Sequence, residues 1–87
     1  MYLIVIYDVE SKQDPKVMKI LKQYLFHVQN SVFEGELSPA KTKALKSELN
    51  KLHYKKKESI IFYSVLSVKQ LHKEGLTNHE IDFPIII

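Results

Sequence analysis

Cysteine is absent from the 87 residues. That excludes disulfide scaffolds, thiolate metal sites and cysteine nucleophiles. Arginine is absent too, so all 13 basic side chains are lysine. Lysine meets phosphate as a point charge, whereas bidentate reading of guanine favours arginine. Any contact with nucleic acid is therefore expected at the backbone, with little base readout. Glycine occurs only as Gly35 and Gly75, which leaves no P-loop and no dinucleotide fingerprint. No apolar run approaches about 20 residues, so no membrane span is predicted. The apolar opening, residues 2–7, is shorter than a signal-peptide core and stops at Asp8. A soluble, cytoplasmic protein is the expectation.

What is present describes a small folded chain. Apolar residues make up 45% and charged residues 26%, a globular balance. A mass of 10.2 kDa supports one domain, 1–87, with one core and little buried area to spare. Oligomerisation is a natural way to add more. The core is expected in 1–66, with 67–87 a variable C-terminal segment.

Charge is unevenly placed. Residues 38–58 carry Lys41, Lys43, Lys46, Lys51, Lys55, Lys56 and Lys57 against Glu48 and Glu58. The flanking stretches are each slightly acidic. Such a block suits a polyanion, although a solvated helix face is the commoner reason for one.

Residues 2–8 read as a β-strand apolar on both faces, with Tyr2, Ile4 and Ile6 on one and Leu3, Val5 and Tyr7 on the other. Asp8 ends it on the Tyr2/Ile4/Ile6 face. Asp14-Pro15 signals a helix start, with Asp14 as N-cap and a helix over 15–26. Residues 28–37 are extended, as one strand or as two broken near Asn30-Ser31. Ser38-Pro39 repeats the start signal for a helix over about 39–53, with Thr42, Leu45, Leu49 and Leu52 on its buried stripe. Residues 59–66 form another strand, and 67–79 read as either a short extended segment or a helical turn. If 28–37 breaks, the order is βαββαβ, the split βαβ or ferredoxin-like α+β arrangement. Its helices cover one sheet face. The two-faced first strand then calls for either a partner molecule or the C-terminal segment on the other, and the apolar end at Phe83, Pro84 and Ile85 to Ile87 calls for a surface to pack on, such as a second subunit.

Few residues suggest chemistry. The histidines at 27, 53, 72 and 79 show no metal-ligand spacing. Ser31, Ser38 and Ser64 lack a nucleophile-elbow context. Asp8, at a strand end, either hydrogen-bonds the following turn or is a functional group carried by a rigid element. One carboxylate is a sparse magnesium site, but a twofold dimer with the first strand near its axis would bring two copies of Asp8 together. Phe33 either packs inside or stacks on a nucleobase.

Three segments resemble one family. They are Tyr7-Asp8-Val9, then the stretch 25–37 with Val28-Gln29-Asn30-Ser31-Val32-Phe33-Glu34 at its centre, then the lysine- and leucine-rich second helix. This is similar to the small CRISPR-associated endoribonuclease family, the second universal protein of CRISPR adaptation. The resemblance implies a ferredoxin-like homodimer formed through sheet faces, with an extra C-terminal strand packing on the dimer partner. It implies Asp8 as the catalytic and metal-binding residue, holding Mg2+ shared with the partner's copy. The implied activity is endonucleolytic, on single-stranded RNA and/or double-stranded DNA, in spacer acquisition beside the CRISPR integrase. The alternative is a non-catalytic DNA-binding adaptor that bridges integrase dimers. Expected nucleic-acid contacts are Lys16, His27, Ser31, Phe33, Lys55, Lys56 and Lys57. His27 and Lys16 stand where several family members carry arginine, and Phe26 stands where glycine is common. Outside the resemblance, a ferredoxin-like regulatory domain binding a small molecule between subunits is a third reading.

Overall fold

The computed structural model describes residues 1–72. Strand β1, Tyr2–Asp8, leads through a loop to helix α1, Asp14–Leu21. Strands β2, Phe26–Gln29, and β3, Val32–Glu36, form a hairpin. Helix α2, Pro39–Asn50, precedes strand β4, Ser59–Val65, and a short 3-10 turn at Val68–Gln70. The strands make one sheet in the order β2-β3-β1-β4, with every neighbouring pair antiparallel. In this order β3 lies between β1 and β2, as the split βαβ arrangement requires. The α+β, ferredoxin-like expectation is met.

Sequence alternation decides which face of the sheet is covered. Leu3, Val5 and Tyr7 of β1 point to the helices and join Val17, Leu21, Leu25, Phe33, Leu37, Leu45 and Leu49 in one buried cluster. The helices supply that cluster at the i, i+4 spacing of an amphipathic stripe, Val17 and Leu21 from α1, Leu45 and Leu49 from α2. On the opposite face Tyr2 is buried, and its hydroxyl donates to Glu34 Oε1 at 2.6 Å. Farther along that face the sheet opens: Ile6 is 39% exposed, its cross-strand partner Ile61 45%, and Tyr63 54%.

Two local readings are corrected. Asp14 is not the N-cap of α1. Gln13 takes that position, and the Asp14 carboxylate instead accepts a hydrogen bond from the Tyr7 hydroxyl at 3.1 Å. The helix also stops at Leu21 rather than continuing to 26. Beyond it the chain tightens through Tyr24 N–H to Leu21 O, 3.0 Å, and enters β2 at Phe26. Tertiary contacts explain the early stop. The Tyr24 hydroxyl bonds Glu48 of α2, and Leu25 packs over Gly35, where an added Cβ would meet Leu25 Cδ2 at 3.1 Å.

Other readings hold, with shifted ends. The break in 28–37 falls at Asn30-Ser31, and Ser31 adopts φ 62°, the left-handed region. Helix α2 starts as expected, with Ser38 Oγ accepting from Lys41 N at 3.2 Å. It ends near Asn50, where the Tyr54 hydroxyl takes up the Leu49 carbonyl at 2.6 Å. The 67–79 segment is a 3-10 turn at Val68–Gln70 as far as the described residues reach. The expected C-terminal strand and the apolar end lie outside them.

Candidate functional site

Strand β1 is hydrogen-bonded on both sides, by β3 and by β4. Asp8 is its last residue, paired with Ser59 at the start of β4, and its side chain is exposed. By alternation it shares a face with Ile6 and Ile4, the face away from the helices. A rigid central strand therefore delivers a carboxylate to the rim of the open, partly apolar face.

Two loops converge at this end of the sheet. The loop after β1 and the turn before β4 are joined by Glu58. One carboxylate oxygen accepts from Glu10 N at 2.9 Å, the other from Lys55 N at 2.7 Å. The Lys55 ammonium reaches back to Glu10 Oε2 at 3.0 Å. These two amides, Lys55 first, hold the Glu58 carboxyl below its usual range. The Glu10 carboxylate raises the Lys55 ammonium in turn. On the other side Ser31 closes the β2–β3 turn against β1, its carbonyl accepting from Tyr7 N at 3.0 Å. Beneath, the Tyr7 hydroxyl is pushed up to about 12, by burial first and then by its bond to Asp14.

A shallow cavity of about 140 Å³ opens beside these loops, lined by Lys12, Lys16, His53 and Lys55 among others. The structure thus gathers Asp8, Ser31, Lys16 and Lys55 toward one end of the sheet. Lys56 and Lys57 are exposed in the turn that Glu58 braces. His27 lies on β2, its ring stacked on Phe33 with centroids 4.6 Å apart. Phe33 itself is 0% exposed. The base-stacking expectation for Phe33 is corrected: its ring is filled in by the core and by His27 and offers no face to a nucleobase. Sequence reasoning also passed over Glu58 and Glu10. The available signal was an acid following three lysines and directly preceding a strand.

Among the described residues, no three histidine, cysteine, aspartate or glutamate side chains gather where they could hold a metal. Among the described residues at this end of the sheet, Asp8 is left to meet an ion, while Glu10 and Glu58 are engaged with Lys55 and backbone amides. A hard, exposed carboxylate oxygen suits magnesium as one ligand, with waters and a phosphate oxygen completing the shell. The donor chemistry of this carboxylate fits magnesium.

Comparison with known proteins agrees with this architecture. The family model described as CRISPR associated protein Cas2 matches residues 1–73. The chain belongs to the Cas2 family. It is 47% identical over 76 residues to the CRISPR-associated endoribonuclease Cas2 of Thermotoga maritima, with 87% of each chain covered. Over the full length of both chains it is 41% identical to the protein of the same name from Methanosarcina acetivorans. Among solved structures, a crystal structure titled cas2 superposes with a TM-score of 0.71 at 38% identity, covering 98% of both chains. Streptococcus pyogenes Cas2, crystallised at pH 6.5, gives 0.70 at 31% identity, covering 86% of this chain and all of that one. The Cas2 fold is thus matched across both the helix-covered core and the Asp8 end. Among the described residues, no helix is long and apolar enough to cross a membrane.

Proposed function

We propose that this Cas2-family protein is a homodimeric, magnesium-dependent endonuclease of CRISPR spacer acquisition. The observation that carries the reading is the position of Asp8: exposed, at the end of the central strand, on the same open face as Ile6, Ile61 and Tyr63. Pairing that face with a second copy would bury the apolar side chains and bring two Asp8 carboxylates toward the symmetry axis. Magnesium held there would activate water and offset charge developing on the phosphate. Lys16, Lys55, Lys56 and Lys57 would hold the backbone of single-stranded RNA or double-stranded DNA, with Ser31 at the rim. Phe33 has no part in binding.

The adaptor reading, in which the dimer bridges copies of the CRISPR integrase, draws support from the lysines exposed along α2 and in the turn after it. Binding of that kind is salt-dependent and needs no carboxylate. One experiment separates the two. Wild type and Asp8→Asn are compared on single-stranded RNA and duplex DNA, with magnesium or chelator, and light scattering confirms both as dimers. Cleavage that requires magnesium and disappears in the variant places the chemistry at Asp8. Duplex DNA bound equally by both proteins and cut by neither assigns the adaptor role.

A further inference from the structure

The Asp8 end of the sheet contains a device that the proposed reaction does not itself require. Past the last β1–β4 pair, Asp8 with Ser59, the two strands diverge into separate loops. Strand ends without further pairing fray. Here side chains oppose the fraying: Gln13 Nε2 donates to His53 O at 2.7 Å, and nearer the strand ends Glu58 takes an amide from each loop. Glu58 lies immediately before Ser59, and Glu10 lies two residues after Asp8. The two Glu58 oxygens each take a backbone amide, one from each loop, and the Lys55–Glu10 ion pair runs parallel to them.

We infer that Glu58 is a positioning residue that fixes the Asp8 carboxylate for divalent-cation binding by clamping the loop after β1 to the turn before β4. The inference rests on the reading that Asp8 holds the cation. Glu58 needs no contact with the ion or the nucleic acid. It acts through the backbone: with Glu10 N–H held, the chain leaving Asp8 has one path. Bonds to a charged acceptor are the stronger kind, and a carboxylate serves two amides where a carboxamide serves one. Lys55 then has two engagements, its amide to Glu58 and its ammonium to Glu10.

The test compares wild type, Glu58→Gln, Glu58→Ala and Asp8→Asn, with Mn2+ as the probe ion. Hydrogen exchange at the Glu10 and Lys55 amides reads the clamp. Mn2+ titration followed by electron paramagnetic resonance reads the site, and cleavage kinetics separate kcat from KM. Both amides are expected to exchange faster in Glu58→Ala, and at least one of them in Glu58→Gln. Mn2+ affinity should fall about tenfold, as when supporting partners of metal ligands are removed. The loss in cleavage should appear in kcat, with KM for nucleic acid little changed. Glu58→Gln, which keeps one acceptor, should fall between wild type and Glu58→Ala and keeps the comparison valid if the alanine variant folds poorly. Faster amide exchange with unchanged Mn2+ affinity and kcat would make Glu58 a structural brace only and overturn the inference. Unchanged amide protection would overturn it as well. Mn2+ affinity equal in wild type and Asp8→Asn would instead remove the Asp8 reading, and this inference with it.

Discussion

Tyr7 joins the core to the loop beside Asp8. Its ring packs 6.2 Å from that of Phe33, and its hydroxyl reaches Asp14 at the start of α1. The hydroxyl is raised from 10.0 to about 12, so the folded protein keeps this proton where the unfolded chain has lost it. The stabilisation is whole below pH 10 and drains away as pH rises through 12, amounting to ~3 kcal/mol for this group. Urea denaturation followed by circular dichroism should show the midpoint falling across that window, less steeply in Tyr7→Phe. At pH 8 the same substitution should lower stability by ~1 kcal/mol through the lost hydrogen bond. The role of Asp14 was hidden in the sequence because Asp-Pro before an amphipathic run is the ordinary form of a capped helix start. Only the fold brings Tyr7 within reach of its carboxylate. Phe33 was ambiguous for a related reason: an aromatic in a strand looks the same whether it faces a core or a base.

At the level of elements, beginnings were more legible than ends. Ser38-Pro39 carries its own cap, a local chemistry that needs no tertiary partner, and α2 starts there. Ser38→Ala should cost about 1 kcal/mol, read as a lower thermal midpoint. The end of α1 was misread because Tyr24 and Leu25 continue the helical period while serving tertiary contacts with Glu48 and Gly35. Period alone does not distinguish a side chain on the last helical turn from one on the tight turn that follows. The hairpin break was readable as a turn-compatible pair. Its left-handed residue is a serine, in a region where glycine or asparagine is the usual occupant. Asp8 stood out as a candidate because it ends an otherwise apolar strand. The clamp through Glu58 was not, since its two partners, Glu10 and Lys55, lie in two loops that meet only in the folded protein.

For the whole molecule, the two faces of the sheet are the organising fact. One is closed by α1 and α2, and the other carries Asp8 at the rim of an apolar surface. If that surface is the dimer contact, Ile61→Lys should leave a folded monomer, seen as a halved mass in light scattering. Magnesium-dependent cleavage should be lost even though Asp8 is intact. Substituting Lys56 and Lys57 together by alanine should instead weaken duplex binding and flatten its dependence on salt, while the dimer persists. The bond pattern of Glu58 also bears on how this protein exchanges parts with its relatives. The loop after β1 and the turn before β4 are far apart in the chain, yet they share one carboxylate. A chimera that imports either segment alone from a relative with a differently shaped partner loop inherits half of a matched pair. The two segments behave as a single cassette, to be grafted together or left in place.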